Sequence, residues 1–359
     1  MSVPASLPAD FAGWIAEAAD GIDLGTEPAA GILPRLAAAG LAGAGVPVAS
    51  GGSGGDIVDA VFAVAAVAEE SLAASFVLWG HRTYIEFLLQ SPNGALRERQ
   101  LSGLLAGSIA GASGLSNAMK FLAGLEKLQI SARAERGALV LDGKMPWVTN
   151  LRPAGFHVAA AVDHADGRPA FVVSLSHDDA GLTRSADLKL LGMRSSDTAA
   201  IAVESVRVGH DRILADNAAE WLPRVRPAFV GLQCGMSIGL ARRSLAEAGR
   251  AAGSGRGVLG DPLVDLQRRL DRAEARLAAG LRTRAFEADA PSLFELRIRL
   301  AEIVAEAVSL ELQAAGGRAY LAEPGRDFAR RWREAAFVPI ITPSLVQLKT
   351  ALEAQRQAA

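Results

Sequence analysis

A chain of 359 residues exceeds the usual single domain, so one large domain or two to three layers sharing a core are expected. Its 37 basic and 39 acidic residues leave a formal net charge of -2, which gives no basic excess to neutralise the phosphates of a nucleic acid. Half of the residues are hydrophobic but only 5% are aromatic, a balance that suits closely packed helices. The one cysteine, Cys234, rules out an intrachain disulfide, and within its apolar stretch it reads as a small core residue.

From residue 8 to about 106 the spacing predicts helices, with Leu36, Leu41, Val61, Phe62, Phe87 and Leu88 recurring at three- and four-residue intervals. Asp10, Glu17 and Asp20 interrupt the N-terminal stretch, so no export signal is read there. The glycine-rich segment from Gly45 to Asp56 predicts a turn, with Asp56 as N-cap of the next helix. The longest apolar run, Ala60 to Ala68, is far shorter than the roughly 18 residues of a spanning helix. It reads as a buried helix, and a cytoplasmic location without membrane contact is expected.

From about 107 to 213 short β-like runs take over. Leu128, Ile130 and Ala132 alternate with polar residues, Leu139–Leu141 runs into Asp142-Gly143, and further strands are predicted at Phe156–Val162, Phe171–Leu175 and Ile201–Val208. An inserted antiparallel β-domain is expected. After Arg212 long helices return, at Ala218–Ala252, from Leu263 to about Ala288, and at Leu293–Ala315, with breaks at Gly253-Ser254-Gly255 and Gly316-Gly317. Those lengths imply a bundle. The histidines at 157, 164, 177 and 210 lack metal-ligand spacing, so no metal is expected. The arginines at 326, 330, 331 and 333 read as a solvated helix face.

Five local patterns, in order along nearly the whole chain, resemble the acyl-CoA dehydrogenase family. They are the Gly45–Asp56 turn; Asp142-Gly143-Lys144-Met145-Pro146-Trp147-Val148-Thr149-Asn150; Leu191-Gly192-Met193-Arg194-Ser195-Ser196-Asp197-Thr198; Arg256 with Gly260, Pro262 and Leu266-Gln267; and Gln313-Ala314-Ala315-Gly316-Gly317-Arg318-Ala319-Tyr320. The resemblance implies a mainly α fold with an inserted β-domain. An N-terminal helical domain (1–106), a middle antiparallel β-barrel or sandwich (107–213) and a C-terminal four-helix bundle (214–359) would follow one another.

It also implies FAD. Trp147, Val148 and Thr149 match the strand beside the isoalloxazine, the threonine hydroxyl supporting the ring near N5, a demand that any redox flavin makes. Ser113 and Ser116 stand in a shortened flavin-side loop, while Arg194 and Asp197 are expected to tie the β-domain to the helices. Arg256, Gln267, Gln313, Gly316 and Gly317 match positions that serve the FAD of a neighbouring subunit, Arg256 as a permanently charged partner for phosphate. A homodimer or homotetramer is therefore implied, with a hetero-oligomer as alternative.

The family's catalytic glutamate is absent. Counting on from Arg333-Glu334-Ala335 places Thr342 at its position, and the alternative position on the first bundle helix falls near Val225. A threonine hydroxyl holds its proton too tightly to serve as the base. Glu70, Glu86 and Asp197 read as salt-bridge or tie residues. His81, in the helix matching the acyl-pocket wall, is the one histidine that could act there.

The expectation is thus an FAD-dependent oxidoreductase acting on an acyl-CoA or related acyl thioester with a non-standard or displaced base, its electron acceptor being an electron-transfer flavoprotein or oxygen. A flavin-dependent monooxygenase on the same scaffold, or a non-catalytic subunit, is the alternative.

Overall fold

The computed structural model describes residues 7–122, 124, 126–252 and 257–358. Five helices come first: α1 (Ala9–Leu24), α2 (Ile32–Ala38), α3 (Ile57–Glu70), α4 (Leu72–Leu89) and α5 (Gly94–Leu105). Asp56 caps α3 as expected, accepting from Val58 N while Asp59 accepts from Asp56 N, both at 2.8 Å. The Ala60–Ala68 run lies inside α3 and most of its side chains are buried.

A sheet domain follows, made of β1 (Ala110–Ser113), a short helix α6 (Ser116–Leu122), β2 (Ile130–Glu135), β3 (Ala138–Val148), β4 (Phe156–His164), β5 (Phe171–Ser176), β6 (Leu182–Arg184), β7 (Ala199–Val208) and β8 (Ile213–Ala215). The strands run in the order β6-β7-β3-β2-β4-β5-β8, with β1 added beside β4. The sheet is mixed rather than antiparallel, because β1 and β2 both pair with β4 in parallel. The helical turn of α6 and the chain through β3 carry the backbone back before those pairs form, so a hairpin is not the only route available.

The C-terminal part holds α7 (Ala218–Ala251), α8 (Gly260–Arg282), α9 (Ala285–Ala288), α10 (Ala290–Ala315), α11 (Arg326–Phe337) and α12 (Leu345–Ala358). The expected single helix to residue 288 breaks at Arg284, which sits at φ +58. Helix α7 packs closely on α3. A Cβ at Gly235 would lie 2.5 Å from Val61 O, and one at Gly239 only 2.1 Å from Ala65 O, so both positions must be bare for the helices to approach.

Within Arg326–Gln357 an 18-residue window reaches a mean hydropathy of 1.3, enough by length and composition to cross a membrane. The segment is not one helix. The chain turns through Val338–Ile340 and a cis Thr342-Pro343 bond between α11 and α12, and Leu348 and Leu352 pack on Ala290 and Phe294 of α10.

Of the four arginines of α11 only Arg326 is exposed as expected; the others do not form a solvated face. Arg330 and Arg331 are buried, paired with Glu334 and Glu311, and Arg333 donates to Asp23 at 2.8 Å. Glu334 also accepts from Leu72 N at 3.0 Å, capping α4. The carboxylates that neutralise these cations come from other elements as well as their own, which is what permits their burial.

Candidate active site

Helix α4 sets Phe76 and Trp79 one turn apart on the same side. Their rings stack at 5.3 Å, Phe337 meets Phe76 edge-on at 5.0 Å, and Trp79 leans on Phe229 at 5.4 Å. This aromatic floor belongs to a cleft of about 330 Å³, inside the range of small-molecule sites. The end of β3 forms one wall. Strand alternation turns Val148 into the core and leaves Trp147 61% exposed on the cleft side.

Five sequence-predicted residues meet around this space: Ser113, Ser116, Trp147, Thr149 and Thr342. Ser113 Oγ is buried without a hydrogen-bond partner. A buried hydroxyl left so costs about 1–3 kcal/mol, a deficit that a polar ligand atom would remove. Gly114 beside it is required by packing, since a Cβ there would meet Met145 Sδ at 2.3 Å. Asn117 Oδ1 accepts from Gln129 N at 2.8 Å and its Nδ2 donates to Lys127 O at 2.9 Å, closing the loop that borders the mouth.

Thr342 is held from behind. Gln233 Nε2 donates to Thr342 O at 3.1 Å, Arg297 Nε donates to Gln233 Oε1 at 2.8 Å, and Arg297 also donates to Val338 O at 2.7 Å. Arg297 is wholly buried, and burial lowers its pKa. The adjoining Cys234 is buried as expected, its thiol pushed up to about 12 by desolvation.

His81 does not belong to the cleft. It is wholly buried, accepting from Gly111 N at Nδ1 and bonding Leu104 O through Nε2, each at 2.9 Å. Nδ1 accepts, so Nε2 carries the proton of a neutral ring, and desolvation lowers the pKa to about 4. His81 was expected near the ligand because its helix matches the family's acyl-pocket wall; Phe76 and Trp79 do line the cleft, and helical rotation turns position 81 the other way.

Gln267, Gln313, Gly316 and Gly317 do not line this cleft. Gln267 is exposed and donates to Asp271 at 2.7 Å, Gln313 is exposed on α10, and Gly316 takes φ +62 where α10 ends. Arg256 lies outside the described residues. Val225 is buried in α7. Glu70 pairs with Arg243 and Glu86 with Arg82.

The Arg194 side chain packs its stem against Gly25 at the end of α1 and donates to Leu190 O at 2.8 Å. The hydrogen-bonded tie centres on Asp23 of α1, whose Oδ1 accepts from Met193 N at 2.8 Å and whose backbone O accepts from Arg194 N at 3.0 Å, with Ser195 N donating to Ile22 O at 3.0 Å. Asp197 stays within the sheet domain, 3.9 Å from Arg184, and desolvation raises its carboxyl to about 6.

Thr198, which the sequence places in a motif but not at the site, lines the cleft and contacts Thr149. Its signal is the hydroxyl cluster Ser195, Ser196 and Thr198 that closes the Gly192–Thr198 motif, a motif expected to be architectural. Also missed were Lys120, Glu126 and Lys144 at the mouth. Lys120 Nζ lies 2.6 Å from Glu126 Oε1, and this hydrogen bond lowers the Glu126 pKa. Glu126 is the only acid among the described lining residues.

The sequence pattern of the acyl-CoA dehydrogenase N-terminal domain matches residues 12–108. The probable acyl-CoA dehydrogenase YngJ of Bacillus subtilis is 26% identical over 336 residues, covering 85% of this chain and 84% of its own. The chain is thus similar to acyl-CoA dehydrogenases along most of its length, and its N-terminal part carries that family's N-terminal domain. Butyryl-CoA dehydrogenase from Megasphaera elsdenii superposes with a TM-score of 0.82 at 17% identity, over 97% of this chain and 95% of that one. KijD3, solved with FMN and a dTDP-linked amino sugar, superposes at 0.80 with 22% identity over 98% and 92%. At such identities the two structures establish the acyl-CoA dehydrogenase fold: N-terminal helices, a middle sheet domain and C-terminal helices.

Proposed function

We propose that the chain is an FAD-dependent oxidoreductase acting on an acyl-CoA or related acyl thioester, by a reaction that draws on no carboxylate at position 342. The observation that carries this reading is the meeting of Trp147, Thr149, the orphaned Ser113 hydroxyl and Thr342 around one cleft. Bound FAD would supply two-electron redox chemistry.

The protein's own part is to hold and shield. Trp147 offers an aromatic face, while Thr149 and Ser113 offer hydroxyls to polar ring atoms. Phe76, Trp79 and Phe337 exclude water from the acyl end. Thr342 stands at the family's base position and does not take up an α-proton at neutral pH. Gln267, Gln313, Gly316 and Gly317, away from this cleft, and Arg256 serve the FAD of a second copy in a homodimer or homotetramer. The enzyme works in the cytoplasm.

A second reading, oxygen-dependent monooxygenation, is favoured by the state of Glu126, the one acid among the described lining residues and already engaged by Lys120. The test is an absorption spectrum of the purified protein with and without added FAD, followed by anaerobic mixing with a panel of acyl-CoAs. Bleaching of the flavin supports acyl thioester oxidation. Product formed only with oxygen and supplied reductant supports the second reading, and absence of any bound flavin sinks both.

A further inference from the structure

The cleft wall at Thr149 continues inward as a chain of hydroxyls. Thr149 Oγ1 lies 2.9 Å from Thr198 Oγ1, and Thr198 Oγ1 lies 2.7 Å from Ser196 Oγ. Thr149 and Thr198 line the cleft, whereas Ser196 is wholly buried. The backbone fixes the arrangement: Asn150 N donates to Ser196 O at 3.0 Å, Leu151 N to Asp197 O at 2.9 Å and Leu188 N to Thr198 O at 2.9 Å. Between Ser196 and Thr198, Asp197 takes the left-handed φ of +48.

Each hydroxyl carries one proton. The two shared bonds use two of the three protons, and one remains. Among the described residues Thr198 is the only hydrogen-bond partner of Ser196 Oγ, so a proton left at Ser196 would be buried without an acceptor. That arrangement is disfavoured by about tenfold or more. Ser196 therefore donates to Thr198, and the remaining proton emerges at the cleft wall, from Thr149 or from Thr198.

The geometry points to Ser196 as a positioning residue that polarises the Thr198–Thr149 pair, so that this wall presents a hydrogen-bond donor to an acceptor atom of the ligand. The inference rests on the flavin reading above. The central-ring nitrogen of an oxidised isoalloxazine accepts a hydrogen bond; after two-electron reduction the same nitrogen carries a proton and donates. A wall fixed as donor favours the oxidised ring. To receive the reduced ring Thr149 must turn its proton onto Thr198, which then accepts from both neighbours and must send its own proton into the cleft. Ser196 thus holds the reduction potential of the bound flavin below the value that Thr149 alone would set.

The test compares the potential of bound FAD, by dye-equilibrated reductive titration, in the wild-type protein and in Ser196→Ala, Thr198→Val and Thr198→Ser, with FAD affinity measured alongside. Ser196→Ala and Thr198→Val are expected to shift the ratio of oxidised to reduced flavin about tenfold toward reduced at fixed potential, a rise of about 30 mV for a two-electron couple. Thr198→Ser should return to the wild-type value. Unchanged potentials, or a loss of FAD affinity without a change in potential, would overturn the relay while leaving the flavin reading intact. A wild-type protein that takes up no FAD overturns both. Should Thr198→Val fail to fold, the one-atom deletion Ser196→Ala decides.

Discussion

Arg333 and Asp23 stand 310 positions apart in the chain and 2.8 Å apart in space, the guanidinium Nε donating to Oδ2. Through its other oxygen Asp23 holds Met193 N at 2.8 Å, so one wholly buried carboxylate joins α1, α11 and the loop that leads into β7. Replacing Asp23 with Ala leaves a buried amide and a half-buried cation without their acceptor. The expected loss is about 2–3 kcal/mol, read as a lower urea midpoint at unchanged slope.

Two glycines of α7 predict opposite outcomes for the same change. A methyl at Gly239 meets Ala65 O at 2.1 Å and Ala68 Cβ at 2.6 Å, whereas Gly249 has nothing within 4 Å. Gly239→Ala should destabilise by about 1–3 kcal/mol through overpacking. Gly249→Ala should stabilise by about 0.5–1 kcal/mol, as alanine does in an exposed helix. Thermal denaturation of the two variants side by side checks the sign.

His81 makes stability depend on pH. Burial holds its imidazole down to about 4 from 6.5, so the folded protein keeps it neutral where the unfolded chain takes up a proton. Its contribution is complete above about pH 6.5, falls as the pH drops, and levels out below about 4, a total of about 3 kcal/mol. His157, also lowered to about 4 by desolvation, acts in the same direction, while Asp197, raised to about 6, acts in the opposite one. Urea midpoints of wild type and His81→Gln between pH 4 and 7 isolate the term: the gap between them should narrow as the solution is acidified.

Trp147 separates ligand binding from folding. The residue is 61% exposed, so Trp147→Ala should leave stability within about 0.5 kcal/mol. Loss of an aromatic face of about 0.5–1.5 kcal/mol should weaken FAD binding up to about tenfold, measured by quenching of flavin fluorescence. Equal FAD affinity in both proteins would remove Trp147 from the site.

Thr342→Glu places a carboxylate where the chain has none. Because a positioned general base contributes about 10²–10⁴-fold, anaerobic bleaching of bound flavin by an acyl-CoA should accelerate by about 10²-fold or more. Tight binding of both FAD and acyl-CoA with no acceleration would show that position 342 does not face the α-carbon.

Local chemistry was legible in the sequence, and long-range partnership was not. The capping of α3 by Asp56, the cleft-side Trp147 and Thr149 and the buried Cys234 depend on neighbours close in sequence or on strand alternation. Arg330 and Arg331 were misjudged because charge count along a helix does not reveal Glu311 on another element or the burial of Glu334. His81 was misplaced by one helical face. Thr198 was seen but not connected to Thr149, since 49 intervening residues separate two hydroxyls only 2.9 Å apart. Parallel pairing around β4 likewise leaves no trace in the period of the strands.

The bare positions on α7 reach further than the helix they serve. Gly235 and Gly239 set how near α7 rides to α3, and Gln233, on the same rigid rod, grips the carbonyl of Thr342 from the rear. A side chain added on the far flank of that rod arrives at the ligand chamber as a shift of its back panel rather than as a new contact. Chamber depth can therefore be retuned by residues that no bound molecule ever touches.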